Sequence, residues 1–320
     1  MLIGQRNVAA LKRLIVMKLT ALLFLIGSVA ALAATEENLN QRFSVQPGGA
    51  VVVEVDFGSI NVSTNATSEV AVDVWRKIGR KKKADEEAFL RDNPVTLTQD
   101  GNTVTIRSHA KAHWSWSGSG RNQNEAKYTI SVPARFGARL MTGGGGIEVA
   151  DLTGEVRART GGGGLGFARL HGSLDGETGG GSVAARNCDG TLNCRAGGGI
   201  EISQFQGPVR ASTGGGGLTI EKVDGSVDAS TGGGSISAVL PSELSDTVKL
   251  STGGGGISVR VPATAAFSLD AQTAGGGVTT ELPVAVIGKM EHGRLQGPVN
   301  GGGKAVQLRS GGGSIHLKKL

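Results

Sequence analysis

The chain contains 320 residues, of which 54 are glycine and only 4% are aromatic. Its formal net charge is +6, but four basic residues and no acidic ones precede Thr35; removing these four from the 33 basic residues leaves 29 against 27 acidic residues. A nucleic-acid-binding surface needs a clustered basic face and stacking aromatics. The composition therefore gives no support for nucleic acid as a partner.

The first 34 residues read as a secretory signal peptide. Basic residues precede an apolar run from Leu19 to Ala33, and Ala31-Leu32-Ala33 gives the small-x-small pattern of a cleavage site near Ala33 or Ala34. Because Met17-Lys18 resembles a normal signal-peptide start, residues 1–16 are candidates for an untranslated upstream stretch. We expect export to the periplasm, the cell surface or the medium; the alternative is an uncleaved membrane anchor.

Residues 35–136 predict a β-rich N-terminal cap. Apolar alternation between turn signals indicates strands near residues 43–45, 50–55, 59–62, 70–75, 95–97, 104–106 and 127–132, with a short helix at residues 84–92. Repeat arrays commonly carry atypical end units, which cover an exposed end strand.

Two stretches of this region are candidate ligand contacts. The basic run that includes Arg80, Lys81, Lys82 and Lys83 predicts contact with anionic lipid, lipopolysaccharide or acidic glycan; the alternative is a solvated loop balanced by neighbouring carboxylates. The second stretch lies in a Ser/Gly/Asn-rich loop, where two tryptophans could stack on a sugar, insert at a membrane interface or simply cover the end of the repeats. Its candidate residues are His113, Trp114 and Trp116.

Residues 137–320 carry a repeated phrase. Within each period a glycine run is followed by a short apolar alternation, a turn with one glycine, a second alternation and usually a threonine. The spacings between the first seven runs are 18, 18, 18, 17, 18 and 21 residues, and self-similarity at this length indicates stacked repeats. The runs begin at Gly143, Gly161, Gly179, Gly197, Gly214, Gly232 and Gly253, with later ones at Gly275, Gly301 and Gly311.

Charge patterns distinguish a parallel β-solenoid from a meander of antiparallel hairpins. In an in-register parallel stack each residue lies roughly 4.8 Å from its counterpart one repeat away. Opposite charges at such positions attract. The residues four before each run nearly alternate in sign, which favours the solenoid; they are Arg157, Asp175, Asn193, Arg210, Asp228, Lys249 and Asp270.

Known glycine-rich ligand motifs do not fit these runs. A phosphate loop would need Ser or Thr after Gly303-Lys304, where Ala305 stands, and calcium-binding nonapeptides would need aspartate after the glycines. We therefore expect no cofactor and no metal. Asp175 and Glu177 could form a carboxylate pair in a periplasmic carbohydrate-active β-helix enzyme, the alternative function, but they also fit as rungs of the charge columns.

Cys188 and Cys194 are the only two cysteines. Aligned by repeat, both occupy columns of apolar residues, so both side chains should point into the core on either side of one turn. An exported chain meets an oxidising compartment. A disulfide between them is the predicted state; two buried free thiols are the alternative.

Three features recur in a known group of proteins: Phe57-Gly58-Ser59-Ile60, the Thr-Gly-Gly-Gly-x-Ile repeats and the closing Ser310-Gly311-Gly312-Gly313-Ser314-Ile315. Through them the whole region after the predicted signal peptide resembles the bacterial putative-adhesin family of β-strand repeat proteins. The resemblance implies an exported β-solenoid. We expect a non-enzymatic module that acts in surface or envelope interactions. The expected partner is a cell-surface glycan, an envelope component or a protein.

Overall fold

The predicted strand alternation is realised in the computed structural model as 25 β-strands and one α-helix within residues 34–109, 123–286 and 293–320, the part of the chain that the structure describes. The all-β prediction is confirmed, and residues from Thr35 onward form one unit. In chain order the elements are β1 (Thr35–Ser44), β2 (Ala50–Val55), β3 (Ser59–Asn65), β4 (Glu69–Gly79), α1 (Lys83–Asp92), β5 (Thr96–Asp100), β6 (Thr103–Ser108), β7 (Gln123–Pro133), β8 (Gly137–Thr142), β9 (Ile147–Ala150), β10 (Val156–Thr160), β11 (Leu165–Ala168), β12 (His171–Thr178), β13 (Val183–Ala196), β14 (Ile200–Gln206), β15 (Val209–Thr213), β16 (Leu218–Asp224), β17 (Val227–Thr231), β18 (Ile236–Val239), β19 (Val248–Thr252), β20 (Ile257–Val261), β21 (Phe267–Thr273), β22 (Val278–Thr280), β23 (Arg294–Val299), β24 (Ala305–Ser310) and β25 (Ile315–Lys319).

These strands form two continuous faces. The first face has the order β5-β6-β2-β8-β10-β12-β13-β15-β17-β19-β24-β21-β23. The second has the order β1-β4-β7-β3-β9-β11-β13-β14-β16-β18-β20-β25-β22. The long strand β13 contributes to both. One coil therefore consists of a first-face strand, a corner made by a glycine run, and a second-face strand.

Successive repeats pair in parallel and in register. Val156 lies opposite Leu174, and Val209 lies opposite Val227, each one period further along the chain. Among the described strands, antiparallel pairs occur only at the two ends, as in β1 with β4 and β21 with β23. The predicted charge columns are therefore real rows of neighbours from Arg157 to Lys249.

The first coil comes from the region predicted as a cap. Strands β2 and β3 stack directly on β8 and β9, with Val51 opposite Ala138 and Ile60 opposite Ile147. Asp56, Phe57 and Gly58 stand where later coils carry glycine runs.

The stacking order departs from the chain order at the C-terminal end. Strands β24 and β25 lie between the coil of β19 and β20 and the coil of β21 and β22. The expected contact of Lys249 with Asp270 is therefore wrong, because Gln307 lies between them. Val306, Leu308, Ile315 and Leu317 are at most 1% exposed, so this last coil has the apolar pattern of an interior one.

Large and small side chains share the core, as the sequence predicts. Val156, Leu174, Leu192, Val209 and Val227 point inward on the first face, and the next inward position holds mostly alanine. Gly176 shows why small residues are needed there. A Cβ on Gly176 would lie 2.9 Å from the ring of Phe167, one of the largest fully buried side chains.

A threonine before most of the glycine runs links neighbouring coils. The Thr231 hydroxyl donates to the carbonyl of Gly216 in the previous coil at 2.8 Å and accepts from the Gly234 amide at 3.1 Å. Thr160, Thr178 and Thr252 make the same two bonds. The threonine hydroxyls therefore form a column in which each one bonds backbone groups of two coils.

The glycine runs are required by close contact between coils. A Cβ on Gly161 would lie 2.3 Å from the carbonyl oxygen of Gly143, and one on Gly163 would lie 2.1 Å from that of Gly145. A Cβ on Gly162, in contrast, would meet no atom within 4 Å. The first and third glycines of this run are thus sterically fixed, whereas the second is not.

This contrast predicts opposite outcomes for two adjacent substitutions. Gly163→Ala should destabilise the fold by about 1–3 kcal/mol, because the coils must separate to admit the methyl group. Gly162→Ala should change the free energy of unfolding by less than about 1 kcal/mol, and in the stabilising direction. Urea denaturation of the two variants checks this, and equal destabilisation would contradict the close approach.

Removal of one corner hydroxyl should also lower the free energy of unfolding. Thr231→Val keeps the side-chain shape but leaves the Gly216 carbonyl and the Gly234 amide without their partner, at a cost of about 1–3 kcal/mol. Thr231→Ser keeps the hydroxyl and is the control. The same denaturation midpoint for both variants would show that the hydroxyl does not hold the corner.

The charge column predicts a salt-dependent effect. Asp228 lies between Arg210 and Lys249, with its Oδ2 3.7 Å from Arg210 Nε. Asp228→Lys should lower stability by about 0.5–1 kcal/mol at low ionic strength, and added salt should remove most of the loss. Asp224→Lys, opposite the neutral Gln206, is the control. An unchanged melting temperature for Asp228→Lys at low salt would count against this neighbour relation.

Both cysteines point into the core as predicted, but the structure holds them as free buried thiols, not as the predicted disulfide. Cys188 lies opposite Phe205, and its Sγ donates to the Arg186 carbonyl at 3.2 Å. Cys194 lies between Gly176 and Ala211 on the first face. Each sulfur thus packs within its own column. Burial raises the pKa of Cys188 and raises that of Cys194 to about 12.

Buried thiols with raised pKa values should be unreactive until the chain unfolds, because the thiolate is the nucleophile. We expect iodoacetamide at pH 8 to modify neither cysteine in the folded protein and both after denaturation without reductant, as counted by mass spectrometry. Modification of neither cysteine after denaturation would instead identify a disulfide.

Candidate functional site

A groove of about 580 Å³ follows the corner of the first coils. Its floor includes Gly143, Gly161 and Gly179, the first glycines of three successive runs. We call it the corner groove and define it by the side chains that line it, which are Glu54, Asp56, His109, Met141, Arg159 and Glu177.

The stacking of the strands positions these side chains. Glu54, Met141, Arg159 and Glu177 are consecutive members of one column on the first face. Neighbours in such a column are roughly 4.8 Å apart. The floor stays bare because a Cβ on Gly143 would lie 2.3 Å from the carbonyl oxygen of Asp56. A row of long side chains therefore stands beside a strip of exposed backbone.

The charges of the corner groove are paired. Arg107 Nε lies 2.8 Å from Glu54 Oε2, and Arg159 Nε lies 3.5 Å from Glu177 Oε2. His109 Nδ1 lies 3.0 Å from Asp56 Oδ1. The paired side chains remain between 26% and 57% exposed, so their polar atoms also face solvent. Met141, at 37% exposure, adds an apolar surface between Glu54 and Arg159.

A second groove, of about 450 Å³, lies on the second face between Glu148 and Glu201. Gly166 and Ala184 occupy the outward positions between those two carboxylates, and Arg186 pairs with Glu201 at 2.8 Å. This surface carries its own paired charge and serves as a reference for the corner groove.

The carboxylates considered for catalysis are rungs of the charge columns. Asp175 lies between Arg157 and Asn193. Glu177 lies between Arg159 and Arg195 and contacts Arg159. The structure thus places both beside cations of the neighbouring coils, as the structural interpretation of the sequence predicts.

The basic run divides into an internal and an exposed part. Arg76 is fully buried, donates to Glu37 at 2.6 Å and donates to the carbonyl of Asn93 at 2.7 Å. Arg80 lies over the Phe89 ring, with its guanidinium carbon 4.8 Å from the ring centroid. Lys81, Lys82 and Lys83 are exposed.

Glu86 connects the turn at Arg80 to the start of the unit by hydrogen bonds. Its carboxylate, on a residue that is 5% exposed, accepts from the Arg80 amide at 2.9 Å, from the Thr35 amide at 3.0 Å and from the Thr35 hydroxyl at 2.7 Å. These bonds, the Arg80 amide first, lower the pKa of Glu86. The stabilisation they supply is present above the ordinary glutamate pKa and is lost as the pH falls through the lowered value.

The sequence did not single out the N-terminal half of the corner groove. Asp56 and Glu54 were placed in a separate cap, so they were not aligned with the repeat columns. A usable signal was present, because Gly58-Ser59-Ile60 has the same form as Gly145-Gly146-Ile147. The candidate ligand residues His113, Trp114 and Trp116 lie outside the described residues, as do residues 1–33 of the predicted signal peptide.

Within the three described ranges, no group of three or more His, Cys, Asp or Glu side chains is arranged to hold a metal ion. The described helix is too short and too polar to cross a bilayer.

Three solved structures are similar to this chain. A putative adhesin from Bacteroides fragilis NCTC 9343 is 12% identical, with 90% of this chain and 99% of that one covered and a TM-score of 0.38. A putative lipid binding protein from Parabacteroides distasonis ATCC 8503 is 11% identical, with 90% and 98% covered and a TM-score of 0.46. A putative cell adhesion protein from Clostridium sporogenes ATCC 15579 is 12% identical, with 89% and 100% covered and a TM-score of 0.22.

A search of the curated proteins gave no match. A family model described as Toastrack DUF4097 matches residues 51–318. This match includes both the first coil and the inserted C-terminal coil. The chain therefore belongs to the Toastrack DUF4097 family, in agreement with the resemblance carried by its glycine repeats.

Proposed function

We propose that the protein is an exported, non-enzymatic interaction module of the cell surface or envelope. In this proposal residues 1–34 direct export, residues 35–136 act as an N-terminal cap and residues 137–320 form a β-solenoid that presents side chains at a fixed spacing. Family membership and the in-register pairing of the coils support this organisation.

The corner groove is the proposed binding surface, and a cell-surface glycan is the proposed partner. The observation that carries the proposal is the row of half-exposed, paired charges beside a bare backbone floor. Carboxylates and guanidinium groups accept from and donate to sugar hydroxyls, and Met141 offers an apolar contact for a sugar face. In the sequence, Trp114 and Trp116 follow His109 closely, and aromatic rings are suited to stacking on sugars.

A periplasmic carbohydrate-active enzyme is the second candidate. The Asp56–His109 contact, beside Glu54 and Glu177, is the observation that favours it, because histidine and carboxylates are the usual general acids and bases. In the binding proposal the same groups only accept or donate hydrogen bonds.

Binding to purified envelope polysaccharide and peptidoglycan fragments tests the proposal. Arg159→Gln removes a charged donor from the corner groove and should weaken glycan binding at least tenfold, since a hydrogen bond to a charged group contributes about 1.5–3 kcal/mol. Arg186→Gln is the matched control, because Arg186 is exposed to a similar extent and also pairs with a glutamate but lies at the second groove.

Calorimetry should show loss of affinity only for Arg159→Gln, with equal melting temperatures for the two variants. Equal affinity in both variants would remove the corner groove as the binding surface. Release of soluble sugar fragments during incubation would favour the enzyme, and analysis of reducing ends detects it directly.

A further inference from the structure

Three consecutive lysines form a positive surface between β4 and α1 that the rest of the fold does not use. Lys81, Lys82 and Lys83 are all exposed. Every ion pair recorded for the described residues uses arginine or histidine as its cation, so none of these lysines takes part in one. We call this surface the lysine turn.

The lysine turn lies where positive charge is locally unfavourable. Lys82 is the N-cap residue of α1, without a side-chain cap hydrogen bond, and Lys83 is the first helical residue. Helix N-termini favour anions, and Ser, Thr, Asp or Asn are the preferred caps. Asp85 and Glu86 in the first turn supply the usual acidic groups. Lys83 helps to lower the pKa of Glu86, but the N-cap position itself gains nothing from a lysine, and a role outside the fold accounts for the cluster better.

Neighbouring contacts hold the lysine turn in a defined place. Arg80, just before it, packs on Phe89, and Phe89 in turn lies 6.2 Å from Phe57, measured between ring centroids. The Arg80 amide donates to Glu86. The three exposed lysines thus extend from a packed turn.

The same contacts place the lysine turn beside the start of the unit. Glu86 accepts from both the amide and the hydroxyl of Thr35 while it also holds the Arg80 amide. In the sequence, the apolar run that begins at Leu19 ends at Ala33, two positions before Thr35. The exposed lysines therefore lie beside the first residues of β1.

We propose that the lysine turn binds the headgroups of anionic phospholipids, so that this end of the unit lies against a membrane. The proposal rests on the proposed export of the protein and assigns the lysine turn a contact separate from the corner groove. Compact ammonium charges on flexible stems suit a fluid layer of phosphate groups, whereas recognition of fixed acidic groups favours the planar guanidinium of arginine. Clusters of basic side chains are drawn to anionic lipid surfaces in this way.

Vesicle binding of the exported protein tests the proposal. The probes are vesicles of phosphatidylcholine alone and of phosphatidylcholine mixed with phosphatidylglycerol, at low and at physiological salt. The test variant is Lys81→Gln/Lys82→Gln/Lys83→Gln. The matched control is Lys304→Gln/Lys318→Gln/Lys319→Gln, which removes the same charge from three exposed lysines in the C-terminal part of the chain. Because the test changes remove cations from a helix N-terminus, they should not impair folding.

We expect binding to vesicles that contain phosphatidylglycerol, weakened by about a hundredfold in the test variant and unchanged in the control. Added salt should weaken the wild-type interaction. Equal binding by both variants, or no preference for phosphatidylglycerol, would overturn the proposal. Binding to lipopolysaccharide or acidic polysaccharide without binding to phosphatidylglycerol would also overturn it. Glycan affinity at the corner groove, measured on the same variants, should stay constant, so that a failure here is distinct from a failure of the proposed function.

Discussion

The hydrogen bond from a corner hydroxyl to a carbonyl of the neighbouring coil fixes how coils sit on one another. A solenoid corner turns the backbone away from the strand ladder, so its amide and carbonyl groups need other partners. The Thr160 hydroxyl supplies both, since it accepts from Gly163 and donates to Gly145.

Ala196 is an exception, because it stands at the threonine position and has no hydroxyl. The corner that follows it has three residues before the next strand, against four in the corners on either side, and the Gly198 amide itself donates to the Gly181 carbonyl at 2.9 Å. The Gly181 carbonyl thus accepts from a backbone amide at the corner where the hydroxyl is missing.

These bonds follow spatial order, not chain order. Ser310 donates to Gly255, and Thr273 donates to Gly313, so the inserted C-terminal coil is held at its corner on both sides. The close approach of neighbouring coils at their corners also shapes the surface. Because a Cβ on Gly143, Gly161 or Gly179 would collide with a carbonyl oxygen of the preceding coil, the corner exposes bare backbone there, and the longer side chains of the adjacent column project beside it. The corner groove thus results from the close packing of the glycine corners and from the side chains that occupy one column in the first coils.

The sequence was sufficient to predict the period, the inward residues and the parallel register, because each depends on a pattern that repeats many times. It was insufficient to predict features that occur only once in the chain. The insertion of β24 and β25 leaves no local signal, since the two-period step from Gly275 to Gly311 fits either order. The first coil was missed because Asp56 and Phe57 replace glycines in the corner.

The sequence also did not predict a column of residues with positive φ values, for a different reason. Asp151, Arg169, Asn187, Gln204 and Lys222 all adopt positive φ values between 52° and 64°. Arginine, glutamine and lysine do not favour that conformation, and it is maintained by bonds to the next coil, such as that from the Arg169 amide to the Arg186 carbonyl.

Cross-linking of engineered cysteines measures the stacking most directly. Ser258 lies opposite His316, and His316 lies opposite Thr279, so a coil separates Ser258 from Thr279. A disulfide requires Cα atoms within about 7 Å. The variant Ser258→Cys/His316→Cys should therefore cross-link under mild oxidation, whereas Ser258→Cys/Thr279→Cys should not. Cross-linking of the second pair in preference to the first would show that the coils stack in chain order and would contradict the account.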